Sequence, residues 1–383
     1  ELLRAIVRMS KKTILFVDDE PFVLSGLRRM CYPLCNNWNF IFAGSGASAI
    51  EVLEKNDISI LISDMRMPVI NGLELFNIVE CRFPGIIRII LTGQTDKGMY
   101  LAAMLTSHYF LCKPANFQCL SYLLNNILNL GSYLKDNGMI KFIHEIKYLP
   151  SRKNSMIMLS DILKNEEIKD VEISTVINDD VSMAAQVLKF VNSAHFNVSR
   201  RIKTVDAAVS YLGNNVIRQL IASQNLSSQF SEDEYARFGV DLIWRRSRNS
   251  ARVSRLLVKL YSSEVEDVED AYLSGLLHEI GKLILIRYAP DVYENVLLMG
   301  RGREKSESDV ERELFGTDHA AVGAYLVSLW GLPCAIADAI STHCHDDLSS
   351  EDVEKLPPVS RAVWLASRMN CEDGLSGRGS ELV

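Results

Sequence analysis

Asp18, Asp19, Asp64, Thr92 and Lys113 each follow a short apolar run: Ile14–Val17 precedes the acidic pair, Ile58–Ser63 precedes Asp64, Ile86–Leu91 precedes Thr92, and Tyr109–Cys112 precedes Lys113. If these runs are parallel strands of one open α/β sheet, the five side chains emerge along a single edge. Ligands bind at that edge, where the strand order reverses. Three carboxylates crowded there repel one another unless a divalent cation lies between them, and hard oxygen donors suit Mg²⁺. A hydroxyl and a lysine beside them complete a site that can receive a phosphoryl group on Asp64. The plainer alternative has Asp18 and Asp19 capping the following helix and Lys113 on the surface. It leaves unexplained why charges gather at a ligand-binding edge.

The elements that must position these residues are legible in the spacing. Strands are expected at Thr13–Val17, Asn39–Ala43, Ile58–Ser63, Ile86–Leu91 and His108–Cys112. Helices are expected near Pro21–Cys35, Ser45–Lys55, Asn71–Cys81, Asp96–Leu105 and Asn116–Leu134. Alternation of this kind predicts an α/β doubly wound five-stranded parallel sheet over residues 12–130. The last helix is expected to continue as a connector with a bend or hinge between Gly131 and Gly138, giving a helical linker over 131–149. From Pro150 the strand signal fades and helical periodicity takes over, with one long pattern at Asp241–Tyr261 and another at Asp267–Tyr288. Residues 150–370 are therefore read as an all-α domain, and the Gly/Ser-rich residues 371–383 as a flexible tail.

Composition narrows the classes further. A chain of 383 residues, 48% hydrophobic and 23% charged, has material for two cores, and its net charge of −7 disfavours nucleic acid or an anionic membrane surface as the main partner. Apolar runs such as Leu283–Ile286 are soon broken by charge, so no membrane span is expected. Eight scattered cysteines fit a reducing, cytoplasmic setting better than a disulfide framework.

The phrases Leu15-Phe16-Val17-Asp18-Asp19-Glu20-Pro21, Ser63-Asp64-Met65-Arg66-Met67-Pro68, Leu91-Thr92-Gly93 and Lys113-Pro114 together resemble the receiver domain of bacterial two-component response regulators. The resemblance implies that Asp64 takes a phosphoryl group from a cognate histidine kinase. It implies that Asp19, Asp64 and the backbone carbonyl of Arg66 ligate Mg²⁺, with Asp18 acting through water, and that Lys113 pairs with phosphoryl oxygens. Thr92 and Phe110 are then switch residues: the hydroxyl moves toward the phosphoryl group, and the aromatic side chain turns inward behind it, altering one face of the domain. Phe110 stands where Tyr is commoner, so an outward state lacks a side-chain hydrogen bond.

A second set of phrases, Ile177-Asn178-Asp179-Asp180, Leu276-Leu277-His278-Glu279-Ile280-Gly281-Lys282, Phe315-Gly316-Thr317-Asp318-His319 and Leu329-Trp330-Gly331-Leu332-Pro333, resembles the HDOD module, a relative of the HD-type metal phosphohydrolases. Against that pattern the metal site is degenerate. Arg246 stands where relatives carry a ligand histidine, Glu279 replaces the aspartate after His278, Cys344 follows His343, and Ser367 occupies a late acidic position. Arginine cannot ligate a cation. Arg246 is therefore expected to pair with Glu279 in place of a metal, leaving His278, His319 and His343 as hydrogen-bonded core histidines. The rival reading is a Zn²⁺ or transition-metal site drawing on His319 and His343-Cys344-His345.

Arg245, Arg248, Arg252, Arg255 and Lys259 recur along one helical stretch, either as a solvated stripe or as a patch for an anionic partner. The function expected from all this is a response regulator in which phosphorylation of Asp64 switches a non-catalytic HDOD module. That module would act by binding a downstream protein or nucleotide ligand, with a homodimer among the possible arrangements. The alternative is a receiver-regulated, metal-dependent phosphodiesterase or phosphohydrolase.

Overall fold

The computed structural model describes residues 11–92, 106–113, 116–146, 149–151, 153–165, 168–193, 202–223, 230–300 and 305–369. It divides into two compact units. The first takes in the chain up to Asn125 together with Ile140–Lys147, and the second takes in Asn126–Met139, Tyr148–Asn192 and the chain from Arg201 on.

In the first unit the strands are β1 (Lys12–Val17), β2 (Trp38–Ala43), β3 (Ile60–Asp64), β4 (Ile87–Thr92) and β5 (Tyr109–Cys112). They pair in the order β2-β1-β3-β4-β5, all in parallel. The chain steps from β1 outward to β2, then returns past β1 to β3, so strand order reverses between β1 and β3. Ile14, Leu15, Phe16 and Val17 of β1 are all buried, as a strand covered on both faces requires. The helices are α1 (Pro21–Cys31), α2 (Gly46–Lys55), α3 (Gly72–Arg82), α4 (Phe117–Tyr133) and α5 (Asn137–Glu145). Ser45 caps α2 and Asn71 caps α3, the latter through a reciprocal box with Glu74. The expected helix at Asp96–Leu105 lies outside the described residues.

The connector does not run on as one helix. α4 ends at Tyr133 and α5 begins at Asn137, so the break falls between the two glycines. Residues 126–139 group with the second unit, where Tyr133 donates a 2.6 Å hydrogen bond to Asp338. Within the stretch expected as a linker, residues 131–139 group with the second unit and residues 140–146 with the first.

The second unit is helical: α6 (Lys153–Ile162), α7 (Asp170–Asn178), α8 (Val181–Ser193), α9 (Val205–Leu212), α10 (Asn214–Ser223), α11 (Glu232–Phe238), α12 (Val240–Leu257), α13 (Val265–Leu277), α14 (Ile280–Tyr288), α15 (Pro290–Gly300), α16 (Glu307–Phe315), α17 (His319–Leu329), α18 (Cys334–Thr342), α19 (Ser350–Lys355) and α20 (Pro358–Met369). Two of the long sequence patterns are each divided. The first ends in a 3₁₀ turn at Val258–Leu260, and the second breaks at His278-Glu279, with α13 before it and α14 after. That break puts His278 and Glu279 at a helix junction, where their side chains can turn into the core. Helix α14 crosses α17 at very close range: a Cβ on Gly281 would stand 1.9 Å from the His319 carbonyl oxygen.

Candidate functional site

The carboxyl edge of the sheet gathers Asp18, Asp64 and Lys113. Lys113 Nζ lies 2.7 Å from Asp18 Oδ2 and 2.8 Å from Asp64 Oδ1. The remaining carboxylate oxygens take backbone donors: Glu20 N–H donates to Asp18 Oδ1 at 3.0 Å, and Arg66 N–H to Asp64 Oδ2 at 3.3 Å. Burial disfavours charge on Lys113, but the hydrogen bonds to Asp18 and Asp64 outweigh it and raise its pKa. Helix α1 has Glu20 at its N-cap with no side-chain cap, so Asp18 and Asp19 are not there as helix caps. Asp19 is half-buried and joins no ion pair with the other three among the described residues.

The loop from β3 to α3 holds Asp64 by close backbone packing. A Cβ on Gly72 would stand 2.2 Å from the Asp64 carbonyl oxygen, and Gly72 N–H donates to Met65 O at 3.0 Å. Between them Ile70 N–H closes a tight turn onto Pro68 O at 2.8 Å, with Val69 at φ 71°. A β-branched residue with positive φ is a strained conformation, retained where surrounding structure over-determines it. Thr92 ends β4 one residue beyond Leu91, the register partner of Asp64; its side chain lies outside the described residues. Phe110 pairs in register with Ile90 and is buried.

The donor set fits Mg²⁺. That ion commonly takes one or two carboxylates and fills its other positions with water and phosphate oxygens. Here two oxygen donors already converge on one cation, the Lys113 ammonium, with Asp19 next in sequence. No trio of His, Cys, Asp or Glu is set out to hold an ion among the described residues.

In the helical unit a buried polar cluster forms around the His278-Glu279 junction, and the cation at its centre is Lys282. Its Nζ lies 3.2 Å from Glu279 Oε1 and 2.8 Å from Glu307 Oε2, while Tyr293 Oη donates to Glu307 Oε1 at 3.0 Å. The expectation that Arg246 pairs with Glu279 is therefore corrected. Arg246 is half-buried, makes no ion pair with Glu279, and its Nε has no hydrogen-bond partner among the described residues. Lys282 wins because it sits three residues after Glu279, on the same helical face. Arg246 acts only as a more distant positive charge. Although burial works against ionisation, Lys282 first, and Arg246 from farther away, hold the Glu279 carboxyl below its ordinary range.

The three histidines lie together, with ring centroids 4.8 Å apart for His278 and His343 and 5.1 Å for His319 and His343. Their protons can be assigned from their partners. His343 Nδ1 faces the Ile340 carbonyl at 2.6 Å and must donate to it; burial drives its pKa well down, so the ring is neutral and Nε2 is an acceptor. His319 Nε2, 3.1 Å from that acceptor, must donate. His319 Nδ1 also donates, to Glu311 Oε2 at 2.6 Å, so His319 is an imidazolium. Burial opposes that charge, and the Glu311 carboxylate overcomes it, raising the His319 pKa. His278 donates from Nδ1 to Gly275 O at 2.8 Å and is held neutral, its pKa lowered to about 4 by burial.

Three carboxylates, Glu279, Glu307 and Glu311, are thus matched by Lys282 and an imidazolium, with Arg246 nearby. Of the residues in the rival metal set, His319 and His343 hydrogen-bond each other through Nε2, and burial pushes the Cys344 thiol up to about 12. Ser367 donates to the Trp364 carbonyl at 2.9 Å. Sequence reasoning assigned no role to Lys282, Tyr293, Glu307 or Glu311. The spacing of Glu279 and Lys282 was a readable signal; Glu311, on another helix, offered none.

Comparison with known proteins agrees with these two units. A response regulator receiver domain matches residues 14–125, and an HDOD domain matches residues 149–346. An uncharacterized protein of Treponema pallidum is 23% identical over 234 residues, covering 61% of this chain and 44% of its own length. The transcriptional regulatory protein GlrR of Escherichia coli K12 is 31% identical over 126 residues, 32% of this chain and 28% of GlrR. The chain thus spans less than half the length of either. The MmoQ response regulator of Methylococcus capsulatus is 22% identical, with a TM-score of 0.47, covering 58% of this chain and 86% of that one. Among the described residues no helix is long and apolar enough to cross a membrane. The chain belongs to the HDOD family and is a response regulator, with a receiver domain ahead of its HDOD output domain.

Proposed function

We propose that Asp64 is the phosphoacceptor, and that its phosphorylation by a histidine kinase switches an HDOD module whose output is binding rather than catalysis. The observation that carries the reading is the convergence of Asp18 and Asp64 on Lys113 at the strand-order reversal. An Asp64 carboxylate oxygen attacks the phosphorus of a phosphohistidine; the P–N bond breaks and its electron pair stays on the imidazole nitrogen, which takes up a proton. Mg²⁺, held by Asp19, Asp64 and the Arg66 carbonyl, would supply positive charge against the repulsion between donor phosphate and acidic pocket. Lys113 offsets the remaining charge. A phosphoryl group adds about 1.5 to 2 negative charges, so Lys113 must divide itself anew between Asp18 and phosphoryl oxygens. Thr92, at the end of β4, and Phe110, within β5, are the residues that read this change.

The binding output rests on Lys282. An ammonium ion-paired to Glu279 and Glu307 supplies internally the positive charge that a hydrolytic metal would bring, and His319 is consumed as a hydrogen-bond donor on both nitrogens. The downstream partner is a protein or nucleotide ligand, in a cytoplasmic setting. Solution scattering with and without beryllofluoride tests the switch: a changed profile in the wild type and none in Asp64→Asn is expected. Identical profiles in both would count against it. Hydrolysis of cyclic dinucleotides with added Mn²⁺ or Fe²⁺, lost on His278→Ala, would favour the enzyme reading instead.

A further inference from the structure

Helix α12 serves the core with one face only. Val240, Ile243, Trp244, Ser247, Ser250, Ala251 and Ser254 are buried. The turn that follows continues the same side: Val258 is buried with Ala271, Ala339 and Val363, and Leu257 and Val268 pack against that cluster. The core is thereby supplied, yet apolar residues are left over on the outer side. Leu256 is 66% exposed, Leu260 73% and Val265 61%, across one helix–turn–helix corner. Isolated exposed leucines need no explanation, whereas grouped apolar side chains with a polar rim mark an interaction surface.

The rim has two halves of opposite sign. On the α12 side Arg252, Arg255 and Lys259 are exposed; on the α13 side Glu264 and Glu266 are exposed and Asp267 and Glu269 half-buried. Among the described residues Arg252, Lys259, Glu264 and Glu266 form no ion pair, and the Arg255 guanidinium lies 5.7 Å from the Tyr272 ring centroid.

We propose that this corner is a homodimer interface whose occupant is a second copy of the chain. A two-fold axis through the apolar centre sets the basic side of one copy against the acidic side of the other, twice over, while Leu256, Leu260 and Val265 meet their equivalents. Such self-complementarity is what an isologous contact requires. A nucleic acid or an anionic lipid surface would be drawn to Arg252 and Lys259 but repelled by Glu264 and Glu266 beside them. A second copy answers both halves of the rim. The proposal is independent of phosphorylation, since every group in it lies on α12, α13 and their turn.

Sedimentation of the unphosphorylated full chain over a concentration and salt series tests it. The wild type is expected to dimerise reversibly, and more weakly at higher salt. Arg252→Glu with Lys259→Glu, and separately Glu264→Lys with Glu266→Lys, are each expected to raise the dissociation constant by about tenfold or more, a change of about 1.4 kcal/mol. Mixing the two variants in equal amounts restores opposite charges at both contacts, so heterodimers are expected where neither variant dimerises alone. Leu256→Ser with Leu260→Ser, altering only exposed side chains, is expected to weaken the dimer in the same direction. A wild type that stays monomeric, dimers indifferent to all three variants, or a mixture that fails to associate would overturn the proposal. So would a monomeric chain whose basic face instead binds DNA, anionic vesicles or an acidic peptide.

Discussion

The Nε2 atoms of His319 and His343 stand 3.1 Å apart, joined by a hydrogen bond from a charged ring to a neutral one. Its consequence is a pH dependence with a definite sign. His319 has a raised pKa, so its stabilisation is complete below the unfolded value and is lost as pH rises through the folded one. His278, lowered to about 4, and His343, held well below its ordinary value by burial, act oppositely: their stabilisation is present above the unfolded value and lost on acidification. Below about pH 6.5, where free imidazole takes its proton, only the second pair changes between states. Urea unfolding followed by tryptophan fluorescence should show the helical unit losing roughly 1 to 3 kcal/mol per pH unit below about pH 6. Flat stability between neutral pH and about pH 5 would contradict the proton assignment.

Lys282→Met leaves Glu279 and Glu307 without their cation. Removing one partner of a buried pair costs about 3 to 5 kcal/mol, because the other charge stays buried and uncompensated. The loss should be read as a lowered urea midpoint. Unchanged stability would mean that another group, Arg246 foremost, holds the cluster.

Gly281→Ala puts a methyl group 1.9 Å from the His319 carbonyl oxygen and 2.9 Å from Gly323 N, all of it backbone that cannot yield locally. Helices α14 and α17 must separate, at a cost of about 1 to 3 kcal/mol or more. The His319–Glu311 hydrogen bond should be disturbed with them. An altered His319 imidazole signal in NMR would register this, and a wild-type spectrum would argue against the close crossing.

Gly72→Ala and Gly85→Ala form a matched pair in the receiver. The first drives a Cβ to 2.2 Å from the Asp64 carbonyl oxygen, while nothing lies within 4 Å of the second. The Gly72 variant is expected to lose stability and label slowly with a small phosphodonor. Gly85→Ala should do neither, or gain slightly through the unfolded state. Equal behaviour would show that the loop does not hold Asp64 in place.

The receiver was legible because its site is written at strand ends. Asp18, Asp64 and Lys113 each follow an apolar run, and strand period plus parallel order brings them together without knowledge of any long-range contact. Within the helical unit the pattern of buried residues was readable, but not the partners across helices. Asp267–Tyr288 reads as one continuous helix, since nothing in its periodicity marks the break at His278-Glu279 that frees both side chains. Arg246 was a plausible partner for Glu279 by position in the family pattern, yet a residue on the same helical face was nearer. Glu311 reaches His319 only through the packing of α16 against α17, which no local spacing encodes.

Whether Asp64 accepts a phosphoryl group is the point on which the functional account turns. Full-length protein incubated with radiolabelled acetyl phosphate and Mg²⁺ should acquire an acid-stable, base-labile label, absent from Asp64→Asn and withheld when Mg²⁺ is chelated. Equal labelling of wild type and Asp64→Asn would contradict it, because the phosphoryl group would then reside elsewhere than at the meeting point of Asp18, Asp64 and Lys113.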